Sequence, residues 1–117
     1  MPRILLSRRE IVSPENGSVV TEELRDSIVI RVLPPVDIEA CHQLGAQLAE
    51  AEASDAERIV LDLDRLEGVD ARLLHVILKA SRRAAHNGDR LRVTRGNGHV
   101  SGIFRLTALD QTIHFND

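Results

Sequence analysis

Arg58 to Leu78 reads RIVLDLDRLEGVDARLLHVIL, and this stretch decides the fold. Ile59-Val60-Leu61-Asp62-Leu63 is apolar almost throughout, as expected of a strand that is central in a sheet or buried on both faces. A polar turn follows. The spacing then predicts a helix from Ala71 to about His86, with Leu74, Ile77, Leu78 and Ser81 on its inner face and Asn87-Gly88 as its C-terminal stop. Asp70 stands at the junction. Its carboxylate can accept from the exposed backbone N–H of Arg72 or Leu73, an N-cap worth about 1 kcal/mol. The helix dipole adds a little for a negative group there.

On the N-terminal side, Ser18–Leu24 and Ile28–Leu33 read as two strands joined by a tight polar hairpin at Arg25-Asp26-Ser27. Pro34-Pro35 ends the second strand, because proline cannot donate to the ladder. Asp37 to about Ala53 reads as a helix whose apolar stripe is Ile38, Cys41, Leu44 and Leu48. On the C-terminal side, Leu91–Thr94 is a strand and Gly96-Asn97-Gly98 a loop. His99–Ala108 contains a third helix with Val100, Ile103, Phe104 and Leu106 or Thr107 inward and Ser101 as its cap. Thr112–Phe115 is a last short strand.

Residues 1–17 read as an N-terminal extension to a domain at 18–117, closed by the turn signal Pro14-Glu15-Asn16-Gly17. Ile11-Val12 either adds an edge strand or belongs to a loose arm. A hairpin followed by alternating helices and strands predicts an α/β fold: a mixed four- to five-stranded sheet with helices mainly on one face. The crossovers are expected to be right-handed.

The chain has 117 residues, the size of one domain. Its 43% hydrophobic content suffices for a packed core, and 2% aromatic content makes that core aliphatic. Phe104 and Phe115 offer no stacking platform for single-stranded nucleic acid. A net charge of −3 gives no general attraction to nucleic acid or anionic lipid. No apolar run approaches the ~20 residues that span a bilayer, so no membrane insertion is expected. Cys41 stands alone, which excludes an internal disulfide and fits a reducing cytoplasm.

Several constellations dissolve on inspection. His42, His75, His86, His99 and His114 form no i, i+4 pair, so no metal site is expected. Gly96, Gly98 and Gly102 miss the dinucleotide spacing, and no cofactor is expected. Asp62, Asp64, Glu67 and Asp70 lack a nucleophile or histidine nearby in sequence and read as a solvated rim rather than a catalytic pair. Lys79, Arg82 and Arg83 make a basic edge on the second helix.

Three segments together resemble the STAS domain, the fold of bacterial anti-sigma factor antagonists. They are IVIRVLPPVDIEA, the run from Arg58 to Val93, and GIFRLTALDQTIHF. Asp37 matches the aspartate that opens the family's first helix. At the second helix the family has aspartate, a phosphorylatable serine or threonine, a small residue, glycine and leucine. Here the run is Asp70, Ala71, Arg72, Leu73, Leu74. A phosphate would bring nearly two negative charges to this turn. Ala71 has no hydroxyl, and Arg72 brings the opposite charge.

The resemblance implies a non-enzymatic, cytoplasmic protein-interaction regulator with no phosphorylation at Ala71. Its partner-binding residues are expected at Asp37, Asp70, Ala71, Arg72 and His75. The partner would be an anti-sigma factor of the kinase-like kind or another complex subunit, and a homodimer stays open. Ser81, Ser101 and Thr107 are the alternative hydroxyls, with Ser81 expected to be packed. One alternative is a STAS-type cytoplasmic subunit or scaffold of a lipid-transport ATPase or stress-signalling complex. Another is a small-molecule or nucleotide sensor with a pocket near Gly96–Gly102.

Overall fold

Fully buried and more accessible residues alternate along the central strands, and the sheet takes its two unlike faces from that alternation. The structure, a computed structural model, describes residues 9–12 and 18–116. Five strands form one sheet in chain order: β1 (Arg9–Val12), β2 (Val19–Glu23), β3 (Ser27–Val32), β4 (Arg58–Asp62) and β5 (Leu91–Val93). β1, β2 and β3 pair antiparallel. β4 pairs parallel with β3 on one side and β5 on the other. Three helices intervene: α1 (Ile38–Ala53) after β3, α2 (Ala71–Ala85) after β4 and α3 (Gly98–Leu106) after β5. This is the expected mixed α/β sheet. Of the two readings of Ile11-Val12, the edge strand is the one seen. The turn expected at Pro14–Gly17 lies outside the described residues.

The rows Ile28–Ile59–Leu91 and Ile30–Leu61–Val93 run across the parallel part of the sheet. All six residues are buried, together with Val32. α1 lies against β2 and β3, and α2 against β5 and α1. The opposite face carries Val29, Arg31, Val60 and Asp62, which are half-buried. There Arg31 bridges Glu22 and Asp62, each at 3.3 Å. Asp62 is therefore a cross-strand partner rather than part of a solvated rim.

α1 and α3 bury most of the expected stripe and depart from it at single residues, whereas α2 is rotated relative to the sequence expectation. On α1, Ala40, Cys41, Leu44, Leu48 and Ala51 are buried, whereas Ile38 is 55% exposed. Ile38 is the first helical residue, and its side chain leans back toward the N-terminus, off the sheet. On α2 the buried set is Leu73, Ile77, Ala80, Ser81 and Ala84. Leu74 and Leu78 are only half-buried. The small residues Ala80, Ser81 and Ala84 let this stripe approach the sheet closely, and the larger leucines fall to its flank. α3 is held by Val100 and Phe104 alone, and Leu106 is 86% exposed. The Thr107 hydroxyl donates back to the Ile103 carbonyl at 2.8 Å, and Ala108 then turns the chain with φ +61°. The last strand expected at Thr112–Phe115 is reduced to a single parallel bridge from Phe115 to Val93, after a 3₁₀ turn at Leu109–Gln111. The Phe115 ring lies 5.8 Å from that of Phe104.

α1 has no basic residue in its last turn, and Arg90, just before β5, supplies the missing charge. Its guanidinium donates to the carbonyls of Glu52, Ser54 and Ala56 at 2.7, 3.1 and 2.6 Å. The Glu52 and Ser54 carbonyls, at the end of α1, otherwise have no helical partner. Arg83 makes a bidentate pair with Glu52, its closest contacts at 2.9 Å, but at an exposed site where such pairs contribute little. Thermal denaturation should separate the two. Arg90→Met should cost about 2 kcal/mol through the freed carbonyls, and Arg83→Met less than about 1 kcal/mol. Equal losses would mean that Arg90 is not the fastener.

Candidate partner-binding surface

Two parallel strands deliver two helix starts to the same end of the sheet. β3 runs into Pro34–Asp37 and α1, and β4 into Leu63–Asp70 and α2. Each helix opens with the same pair, valine then aspartate: Val36-Asp37 and Val69-Asp70. Both valines pack against the core, in the position from which an apolar residue fixes the entry angle of a helix. Both aspartates are N-caps. Asp37 accepts from the Ala40 N–H at 2.8 Å, and Asp70 from the Leu73 N–H at 3.0 Å. Leu73 was one of the two donors expected for Asp70.

The β4–α2 turn is pinned from below. The Leu63 N–H donates to the Thr94 hydroxyl at 2.8 Å, and the Asn97 side-chain amide donates to the Leu66 carbonyl at 3.1 Å. Leu63 and Leu66 are buried, with 0% and 2% exposure. Asn97, not Ser101, caps α3, accepting from the Val100 N–H at 2.9 Å, because it is the residue three positions before that amide. Gly96 has φ +71°, and a Cβ there would meet the Val100 side chain at 2.9 Å. The glycine loop thus serves the turn into α3.

On this rigid base the expected site residues are presented outward. Asp37, Asp70, Ala71, Arg72 and His75 are all exposed. Ala71 is the first residue of α2, and His75 follows one turn later on the same face. The Arg72 guanidinium donates to the second Asp70 oxygen at 3.1 Å. Cys41, 7% exposed, marks where the helix starts meet. Burial pushes its thiol up, Asp70 pushes the same way, Arg72 opposes, and Asp37 adds to the rise. Groups from both helix starts thus act on this one thiol. Among the described residues His75 makes no hydrogen bond or ion pair with the other four; it is related to them by sharing the exposed face of α2 with Ala71.

Sequence reasoning missed a groove of about 500 Å³ beside these residues. It runs between Pro34–Val36 on one wall and Leu66–Asp70 with Leu73 on the other. The repeated Val-Asp pair was the available signal. The alternative hydroxyls are engaged or packed. Ser101 donates to the Arg95 carbonyl at 2.8 Å, Thr107 donates within α3, and Ser81 is 8% exposed. Among the described residues, no group of three or more His, Cys, Asp and Glu could hold a metal ion. Nor is any helix there long and apolar enough to cross a membrane.

The Leu73 N–H holds the Asp70 carboxyl below its ordinary value, with Arg72 adding to the effect. A lowered folded value means that the cap contributes fully above the unfolded aspartate pKa of about 4 and is lost as pH falls through the folded value. Asp70→Ala should cost about 1 kcal/mol at neutral pH, with the difference from wild type shrinking in acid. Asp70→Asn should retain most of the capping and lose the pH dependence. A difference that stays constant down to the lowest pH at which the protein folds would contradict this.

Solved structures share this fold at low sequence identity. TM1081 of Thermotoga maritima superposes with a TM-score of 0.72 and 21% identity, over 83% of this chain and 78% of that one. A serine-to-glutamate variant of RsbS from Moorella thermoacetica gives 0.72 and 21%, over 84% and 85%. The anti-sigma factor antagonist SpoIIAA in its unphosphorylated form gives 0.69 and 19%, over 85% and 88%. These likenesses carry the fold alone. No curated protein matches the sequence. The model of one family, described as "Mlab, STAS domain", matches residues 19–114. With that match and this architecture, the chain belongs to the STAS domain family.

Proposed function

We propose that this chain is a non-enzymatic, cytoplasmic protein-interaction regulator that works as anti-sigma factor antagonists do, through a docking surface that phosphorylation does not switch. Asp37, Asp70, Ala71, Arg72 and His75 form that surface. One observation carries the proposal. The first residue of α2, exposed beside a capping aspartate, is Ala71. Its solved neighbours are an antagonist described in its unphosphorylated form and a serine-to-glutamate variant. In a chain with the same fold, an exposed alanine keeps the platform and removes the acceptor oxygen.

Arg72 favours a second reading. Its guanidinium is held on Asp70, so the two charges offset one another and the balance is set by the sequence rather than by a switch. A surface of this kind suits constitutive assembly, as in a STAS-type subunit or scaffold of a lipid-transport ATPase or stress-signalling complex. The two readings share the surface and differ in the partner.

Both are tested by recovering the partner from the native host with tagged chain, then measuring its affinity for purified variants. His75→Glu and Arg72→Glu should weaken binding about tenfold or more. Asp55→Lys, exposed in the loop at the other end of α1, should leave it unchanged. Loss with Asp55→Lys but not with His75→Glu would overturn the proposed surface. Ala71→Ser then separates the readings. Incorporation of phosphate by a partner kinase, with loss of binding, marks an intact antagonist circuit. Unchanged binding without phosphate marks constitutive assembly.

A further inference from the structure

The groove beside Asp70 has a chemistry of its own. Val36 and Val69 provide half-buried apolar walls above the buried Leu66 and Leu73, and Glu67 provides the unpaired charge, Asp70 being paired with Arg72. No cationic residue lines it. Glu67 is exposed, and its carboxylate has no ion pair or hydrogen bond among the described residues. Asp70 carries its charge firmly, since the Leu73 N–H and Arg72 hold its carboxyl below the ordinary value.

Crevices at the C-terminal edge of an α/β sheet commonly take anions, because helix N-termini offer free N–H groups there. At this edge that arrangement is already partly used. The Ala40 N–H of α1 and the Leu73 N–H of α2 donate to the carboxylates of Asp37 and Asp70, and the Val100 N–H of α3 to the Asn97 side chain. An incoming phosphate or carboxylate would meet the unpaired carboxylate of Glu67 at the rim. The matching occupant has an aliphatic stem and a cationic tip. Lysine and arginine have both: they lay their methylenes on apolar surface and keep the charged head at the polar rim.

We propose that this groove is the socket for an arginine or lysine side chain of the protein partner. The proposal rests on the partner-binding reading above and adds the chemistry of one contact. The stem would lie along Val36 and Val69, with the charged head at Glu67. The unpaired Glu67 would gain its first ion pair on binding. Rim charges of this type steer the encounter and select the partner more than they add affinity.

The test uses the full chain, labelled with ¹⁵N, and three probes: the capped tripeptides acetyl-Leu-Arg-Leu-amide and acetyl-Leu-Glu-Leu-amide, and inorganic phosphate. The arginine peptide should shift the amides of Val36, Gly68, Val69 and Leu73 along a saturating curve, less so as salt is added. The glutamate peptide and phosphate should leave them in place. Glu67→Gln should weaken the arginine response severalfold and Glu67→Lys should abolish it. The unperturbed remainder of each spectrum would show that these variants fold. Equal response to the glutamate peptide, a response to phosphate, or no response at these amides to the arginine peptide would overturn the socket. Glu67→Lys in the partner-affinity assay separates the two claims. Loss with His75→Glu but not with Glu67→Lys would remove the socket and keep the surface, whereas loss with neither would remove both.

Discussion

The parallel pairing of β4 between β3 and β5 is the constraint on which the rest depends. Ile59, Leu61 and Leu63 are essentially inaccessible to solvent. A slip of β4 by one residue would move its apolar set to the open face, so its register is strongly specified. That register fixes where the chain leaves the sheet. It therefore fixes where Leu66 anchors the turn and where Asp70 opens α2. β3 does the same for Asp37 and α1. Two helix starts come side by side because two parallel neighbours end together, and the proposed docking surface follows from strand geometry.

The surface is rigid for ordinary reasons. Each helix start is closed by its own aspartate, and the intervening turn is held by Thr94 and Asn97. A partner that binds there meets a preorganised face and pays little to order it. A phosphoswitch would work on the same platform by adding charge at the first residue of α2. With alanine at that position and Arg72 beside Asp70, the charge is a fixed property of the sequence.

Much of this was legible in the sequence because it is local. The apolar run of β4, the Asp70 cap and the Pro34-Pro35 stop each follow from a few adjacent residues. The rotation of α2 was not legible. Leu73, Leu74, Ile77 and Leu78 are all apolar, so two neighbouring stripes fit the same pattern. Ala80, Ser81 and Ala84 chose between them by permitting close approach, a property of packing rather than periodicity. Leu106 looked inward by spacing, but α3 ends there, and Ile113 and Phe115 do the covering instead. The groove escaped because its walls come from 34–36 and 66–73, which only the fold brings together. Arg90 escaped for the same reason: its acceptors lie more than 30 residues away in sequence.

Hydrogen exchange of the chain, free and bound to the partner recovered from its native host, tests the central claim most directly. Binding should slow exchange in two separate segments, 34–42 and 66–78, and leave the open sheet face and the outer side of α3 unchanged. Protection confined to β2, β3 or α3, with the two helix starts unaffected, would contradict the placement of the docking surface.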